Sequence, residues 1–321
     1  MNRRLTRREL AALAGASAFG LFSRPLHAVT KTGRIGLAAL TPPPDGGTLA
    51  PAAAHGALER AIVAATGAPD ARHALGAIFK PGDTVGVKLN TIGGRNLAPR
   101  VELVDALAAL LGDVGIAPGR VIVFDRSARE LRRAGFEIRA SGGRYVCRGI
   151  DNEYDAEPST SGAIGSCFAR LVSTTCTALI GFGVVKDHDL AGVSASLKNW
   201  YGVIHNPNKY HDNNCDPYVA DVVNHPFVRG KLRLTLLDGT VAQCHGGPAW
   251  RPDMCWPLGV VAASTDPVAA DVWAWKAIDA ERRRRGLPGL ADAKRAPRFV
   301  ATAARYGLGL GDPDKLEEVR A

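Results

Sequence analysis

The sequence lacks the short motifs that mark the commonest nucleotide, hydrolase and zinc sites. It has no Gly-x-Gly-x-x-Gly after a predicted strand, no Walker sequence, no Gly-x-Ser-x-Gly turn and no His-Glu-x-x-His pair. Its six cysteines include no Cys-x-x-Cys spacing, so the sequence contains no intrinsic iron–sulfur motif and no thioredoxin-type motif. Lysine and arginine are not interleaved with aromatic residues, and we therefore expect no nucleic-acid partner.

Length and composition exclude other classes of protein. The chain has 321 residues, of which 46% are hydrophobic and 22% are charged, enough to build the core of one large domain or of two lobes. A mean hydropathy of −0.03 excludes a protein with many membrane spans, and the apolar content excludes a disordered chain.

The first 28 residues have the pattern of an export signal. Four arginines (Arg3, Arg4, Arg7 and Arg8) precede an apolar run of thirteen residues, which is too short to span a hydrocarbon core of about 30 Å. Because residues 6–10 (Thr-Arg-Arg-Glu-Leu) resemble the twin-arginine consensus, we expect export by the twin-arginine translocase. Cleavage after Ala28 would leave a periplasmic or extracytoplasmic protein without a transmembrane anchor. The alternative is a basic amphipathic helix.

Export affects how charge and cysteine content are interpreted. Removing residues 1–28 takes away five arginines and one glutamate, which lowers the net charge from +9 to +5, an ordinary value for a surface of this size. Twin-arginine substrates fold before export, in a reducing compartment. We therefore expect one disulfide or none, with Cys244 and Cys255 as the pair if one forms.

Short β-branched runs alternate with helical patterns along the chain. This alternation predicts an α/β fold with a mostly parallel sheet, helices on both faces and Rossmann-like layering. Residues 29–78 are expected to hold an N-terminal strand, a Pro/Gly loop and a helix, residues 79–311 the main α/β domain, and residues 312–321 a C-terminal tail. The predicted strands are Thr84–Leu89, Arg120–Phe124, Ala178–Gly181, Leu232–Leu237 and Gly259–Ala263, and the predicted helices span 52–66, 99–112, 127–134, 190–200, 217–227, 267–284 and 297–306.

The residues after the predicted strands are polar, and ligands of such sheets bind beyond the carboxyl ends of the strands. Two lysines about 6 Å apart repel by roughly 3 kcal/mol at an effective dielectric near 20, so a cluster of lysines favours an anionic substrate or cofactor between them. The candidate binding residues are Lys88, Asn90, Lys186, Lys198, Asn199, Asp238, Asp266 and Asp271. Asp271 is expected either to orient other groups from a buried position or to be an exposed helix residue.

Five of the eight histidines lie within residues 188–245, together with several carboxylates. Two of them, His188 and His211, lie in charged segments beside the predicted sheet edge, and we expect them to act as acid–base groups or as ligands of a divalent metal. Asp187 is the third candidate catalytic residue. Since no His-x-x-x-His spacing occurs, the metal hypothesis depends on clustering alone.

Several spaced blocks resemble the DUF362 family, a domain of unknown function. The first is Phe79–Asn90 (FKPGDTVGVKLN); it is followed by Lys186-Asp187-His188, Leu197–Gly202, Lys209-Tyr210-His211 and Asp266–Asp271 (DPVAAD). The resemblance implies an α/β domain over roughly residues 79–311, without an agreed reaction. Some members carry a ferredoxin-like module that is missing here, and the Lys and His motifs are distantly similar to lactate-racemase-like proteins.

These observations favour an exported enzyme that binds an anionic substrate or cofactor in a Lys/His/Asp cleft, with or without a metal. One alternative is a periplasmic ligand-binding or metallochaperone protein that performs no turnover. Another is a structural accessory factor whose polar residues only cap helices and turns. The sequence identifies neither the substrate nor the cofactor.

Overall fold

The computed structural model describes residues 33–43 and 47–321. The predicted signal peptide, residues 1–28, lies outside them. Among the helices described, none has the length and apolarity needed to cross a membrane.

The described residues form one large sheet and a small hairpin. Five of the seven strand pairs along the main path of the large sheet are parallel, which confirms the predicted α/β class. Its order is β12-β1-β11-β9-β7-β2-β3-β4, with β8 and β10 paired to β7 and β9. The strands are β1 Arg34–Ala39, β2 Val85–Leu89, β3 Val121–Asp125, β4 Val146–Gly149, β5 Ser159–Ser161, β6 Ile164–Ser166, β7 Ala178–His188, β8 Gly192–Val193, β9 Leu232–Gln243, β10 Cys255–Trp256, β11 Val260–Ser264 and β12 Glu317–Arg320.

Helices cover both faces of the sheet. Alternate residues of each strand face opposite sides, so Val85 and Val87 of β2 pack with the first three helices, whereas Phe124 of β3 and Leu179 of β7 pack with the last four. The α-helices are α1 Pro51–Thr66, α2 Ala71–Ile78, α3 Val101–Asp113, α4 Ala128–Arg133, α5 Tyr218–Asn224, α6 Pro226–Arg229, α7 Pro267–Arg284 and α8 Phe299–Arg305. Three 3₁₀ helices, Leu197–Val203, Pro207–Tyr210 and Asn213–Cys215, lie between β8 and α5.

Two predicted helices were wrong. Residues 190–200 instead form β8, a short extended stretch and the start of a 3₁₀ helix, because Gly192 adopts a positive φ of 78° and a Cβ there would lie 2.0 Å from the carbonyl oxygen of Arg295. Residues 217–227 form two helices, since His225 ends α5 and its ring accepts the N–H of Phe227 to begin α6.

Two central strands are longer than predicted. The strand β7 continues to His188, so Lys186, Asp187 and His188 lie within it rather than after it, and β9 continues to Gln243. The residues separated as a C-terminal tail, 312–321, include β12, which pairs with β1. All six cysteines are free, and Cys244 and Cys255 are not joined.

Candidate functional site

A cavity of about 210 Å³ lies at the carboxyl ends of the central strands. The chain runs from β2 to β3 on one side of the sheet and from β7 to β9 on the other, so β2 and β7 flank the point at which the strand order reverses. Ligands of open α/β sheets bind at such a point. Six predicted residues line this cavity, namely Lys88, Asn90, His188, Lys198, Asn199 and His211.

Lys88 is fully buried and its ammonium group is fully occupied. It donates to Asp125 at 2.6 Å, to the carbonyl oxygen of Leu89 at 2.6 Å and to the side chain of Asn199 at 3.0 Å. Burial acts to raise the pKa of Asp125, but Lys88 together with hydrogen bonds from Thr91 and Arg126 outweighs it, and the pKa is lowered. A Cβ at Gly202 would lie 2.8 Å from Nζ of Lys88, so the glycine leaves room for this pair. Lys88 therefore holds the cavity wall together.

Lys186 is also fully buried, but its partner is neutral. Its Nζ donates to Oδ1 of Asn90 at 3.1 Å, and it forms no ion pair with any described carboxylate. Burial lowers the pKa of Lys186 to about 8, although the charges of Asp125 and Asp187 act in the other direction. Since the carbonyl oxygen of Asn90 faces the lysine, its amide NH₂ group remains to donate into the cavity that Asn90 lines.

Lys198 lines the cavity and contacts His211. Its Nζ lies 3.0 Å from Nε2 of His211 and 3.9 Å from the centre of the Tyr201 ring, and it too forms no ion pair with a described carboxylate. Nδ1 of His211 lies 3.0 Å from the carbonyl oxygen of Pro207, which makes Nδ1 the protonated nitrogen and Nε2 the acceptor. Burial lowers the pKa of Lys198 to about 8, and burial and Lys198 lower that of His211.

His188 is held as a neutral hydrogen-bond donor. Its Nδ1 accepts the backbone N–H groups of Leu190 and Ala191, each at 3.2 Å, so the ring proton is on Nε2. Burial and then Lys198 lower the pKa of His188 to about 2. The ring stacks on His211 with their centroids 5.6 Å apart. A histidine that binds a metal ordinarily donates its second nitrogen to an acceptor, so the bonds of His188 suit a ligand contact better than a metal.

Asp271 is buried behind the cavity. Its carboxylate accepts the backbone N–H groups of Ser196 at 2.7 Å and Leu197 at 2.9 Å, which places the 3₁₀ helix that carries Lys198 and Asn199. Burial raises the pKa of Asp271 to about 7. Of the two expected roles for this residue, the buried one is confirmed.

The carboxylate of Asp187 pairs with an arginine and forms no hydrogen bond with His188 or His211. It accepts the backbone N–H of Gly247 at 2.9 Å and pairs with Arg295 at 2.6 Å. Together with Asp189 and His245 it forms the one metal-type group found in residues 33–43 and 47–321, with ligand atoms within 4.8 Å of one another. Arg295 donates to all three of these side chains, so a cation already occupies their centre.

Two predicted binding residues lie elsewhere. Asp238 is in the middle of β9, where its carboxylate accepts the N–H groups of Arg100 and Thr240 and the hydroxyl of Thr240. Asp266 caps α7 by accepting from the backbone N–H groups of Val268 and Ala269. Both carboxylates satisfy local backbone donors, so neither reaches the cavity.

The structure adds residues that sequence reasoning missed. Asp125 ends β3 beside the cavity, as the strand-end rule applied to the other strands would have indicated. Arg126 and Glu130 line the same wall, and burial together with Asp125 raises the pKa of Glu130. Tyr201 lines the cavity floor and donates its hydroxyl to the carbonyl oxygen of Tyr210 at 2.8 Å.

Comparison with known proteins identifies a family and no reaction. No curated protein matches. A crystal structure of a protein from Thermotoga maritima is 10% identical, with a TM-score of 0.41 over 74% of this chain, and the chain spans 60% of the length of that structure. A family model described as a domain of unknown function, DUF362, matches residues 85–276. This match covers more than half of the sequence, and the chain therefore belongs to the DUF362 family.

Proposed function

We propose that the cavity binds a small carboxylate and that the protein is an enzyme that moves a proton at the carbon next to it. The observation that carries this proposal is the Lys198–His211 contact. A buried ammonium group at 3.0 Å from a neutral imidazole, with no described carboxylate paired to it, retains positive charge for an anion and has a base beside it.

The size of the cavity supports a small ligand. Pockets for drug-sized molecules are commonly about 300–1,000 Å³, and this cavity measures about 210 Å³. The net charge of its wall also favours an anion, because the three cations Lys88, Arg126 and Lys198 outnumber the two carboxylates, Asp125 and Glu130.

The chemistry follows from the hydrogen bonds. The ligand carboxylate pairs with Lys198, which releases Nε2 of His211 to take a proton from the neighbouring carbon. The carbon's electron pair moves into the carboxylate to give an enediolate, and Nε2–H of His188 donates to one of its oxygens. The imidazolium formed on His211 is stabilised through Nδ1–H and the carbonyl oxygen of Pro207, and its proton returns to the carbon.

The binding part of the proposal is tested by titration calorimetry with glycolate. Replacing Lys198→Met removes the charge and keeps a side chain of similar length, so the glycolate affinity is expected to fall more than tenfold. The matched control is Lys80→Met, an exposed lysine at the amino end of β2, which should leave affinity unchanged. Absence of glycolate binding by the unaltered protein would overturn the proposal.

The catalytic part is tested by proton NMR in D₂O. The unaltered protein should exchange the C2 protons of glycolate for deuterium, and His211→Gln should abolish exchange while changing affinity by less than about threefold. Binding without exchange would instead identify a ligand-binding protein that performs no turnover.

We also propose export by the twin-arginine pathway, which is supported by the sequence of residues 6–10. Replacing Arg7→Lys and Arg8→Lys together keeps the charge and removes the paired guanidinium groups. The doubly substituted protein should stay in the cytoplasmic fraction in full-length form, whereas periplasmic delivery of this variant would contradict the proposal.

A further inference from the structure

A second opening lies beside the cavity and shares two of its wall residues. It measures about 410 Å³ and is lined by Arg126 and Glu130, which also line the cavity. We call it the outer groove; its other lining residues are Ser127, Arg129, Asp151, Asn152, Tyr154 and His205. A ligand that extends out of the cavity past Arg126 enters this groove.

The charges of the outer groove balance. Arg126 and Arg129 face Glu130 and Asp151, whereas the cavity has an excess of positive charge. A second anionic group gains little in a balanced groove, and an apolar tail would cover charged groups without giving them hydrogen bonds. The lining therefore favours an uncharged group that both donates and accepts hydrogen bonds.

The groove also offers an aromatic wall. The rings of Tyr154 and His205 meet edge to face, with their centroids 5.1 Å apart. Beside them, the guanidinium group of Arg126 donates to the carbonyl oxygen of His205 at 3.4 Å, and Arg126 lines both the groove and the cavity. Aromatic faces accept C–H groups, and the neighbouring carboxylates accept O–H donors.

We propose that the outer groove binds the hydroxylated tail of a substrate whose carboxylate lies in the cavity, so that the substrate is a polyhydroxylated carboxylic acid such as a sugar acid. This inference rests on the proposed function, because the carboxylate must first bind beside Lys198. Asp151 and Asn152 provide the acceptor and amide groups for the tail, and Tyr154 provides the apolar surface.

Three probes separate the tail from the carboxylate. Glycolate has the carboxylate and almost no tail, hexanoate has a five-carbon apolar tail, and gluconate has a five-carbon tail with five hydroxyl groups. By titration calorimetry, gluconate should bind the unaltered protein at least tenfold more tightly than either of the others, since two or more additional hydrogen bonds give a gain of that order.

Two exposed positions test the groove without disturbing the core. Asn152→Ala removes the side-chain amide, and Asp151→Asn removes a charge while keeping an oxygen for the N–H of Ala128, with asparagine well suited to the φ of 49° at this position. Each should weaken gluconate about threefold to fivefold and leave glycolate unchanged. The matched control is Asp113→Asn at the exposed end of α3, which should change neither.

The outcomes distinguish this inference from the proposed function. If glycolate binds and gluconate binds no more tightly than glycolate, the inference about the outer groove is wrong and the proposed function is unaffected. Hexanoate as the tightest probe, or gluconate binding that neither groove variant weakens, also overturns this inference. Failure of all three probes to bind overturns both proposals.

Discussion

Two groups of buried charge lie at opposite ends of the central strands. At the amino ends, Arg233 donates to both carboxylate oxygens of Asp83, at 2.6 and 3.3 Å, and Thr177 completes the group. At the carboxyl ends, Lys186 and Lys198 have neutral partners, an asparagine and a histidine. The first group is complete within the protein, whereas the second leaves cations without described counter-charges.

The difference shows which of the two groups stabilises the fold and which is arranged for a ligand. Hydrogen bonds to Lys80, Thr177 and Arg233 outweigh burial and lower the pKa of Asp83, as expected for a paired carboxylate. Burial lowers the pKa values of Lys186 and Lys198 to about 8, as expected for buried cations that form no direct ion pair. The two buried lysines at the carboxyl end therefore lower the stability of the ligand-free protein, and a bound anion would offset this loss.

The largest effect is expected from breaking the complete group. Replacing Asp83→Ala leaves Arg233 partly buried without its carboxylate, and the free energy of unfolding should fall by about 3 kcal/mol. Urea denaturation measures this change, with Asp113→Ala as the control for an exposed aspartate. A loss below about 0.5 kcal/mol for Asp83→Ala would remove the contrast between the two ends.

At the cavity, by contrast, a substitution is expected to raise the free energy of unfolding. Replacing Lys198→Met removes a buried cation whose charged form is disfavoured, so the free energy of unfolding at pH 7 should rise by about 2 kcal/mol in the absence of ligand. The same urea experiment applies, and Lys80→Met should have no effect. A destabilised Lys198→Met protein would mean that the ammonium group stabilises the fold.

The pH dependence gives a smaller effect. In the unfolded chain a lysine titrates near 10.5, whereas burial lowers the pKa of Lys198 to about 8. Between pH 8 and 10.5 the unfolded state therefore binds more protons, and stability from this residue rises with pH. Glycolate affinity should fall over the same range, because the site loses its charge. A glycolate affinity that stays constant from pH 7 to 10 would contradict the lowered pKa of Lys198, on which both expectations depend.

Asp271 should have a smaller effect on ligand affinity than Lys198, together with its own effect on pH dependence. Burial raises its pKa to about 7 from an unfolded value near 3.8, so the stability it contributes is present below pH 4 and is lost as pH rises through 7. Asp271→Asn should remove this slope from the unfolding free energy. It should also weaken glycolate a few-fold, because the amide NH₂ cannot accept the N–H of Ser196 or Leu197. An unchanged slope would show that another group titrates.

The sequence predicted the layered architecture of the fold better than the lengths of its strands. Alternating apolar runs indicated the sheet, and Asp266-Pro267 marked the start of α7 correctly. Polar residues inside long strands were misleading: Asp238 resembles a strand end, but β9 continues to Gln243 because the carboxylate satisfies Arg100 and Thr240. Strands of two to four residues, such as β8 and β10, are too short to show a period.

Six of the eleven predicted site residues line the cavity, and the pairing of their side chains was not predicted. Strand-end reasoning grouped Lys88 and Lys198 with His188 and His211, and the fold brings these four side chains to one cavity, which Lys186 does not line. Strand-end reasoning could not indicate that Asp125 forms an ion pair with Lys88, since this contact joins two strands through side-chain geometry alone. Likewise, Arg295 lies 108 residues from Asp187 and has no local signal that links the two.

The most direct test of the anion site is the titration of the Lys198 ammonium group by NMR of the selectively labelled side chain. In the protein without ligand, its pKa should be near 8, and saturating glycolate should raise it towards the value of an exposed lysine, while Lys80 stays unchanged. A pKa near 10.5 in the free protein, or one that glycolate does not move, would contradict an anion site at Lys198.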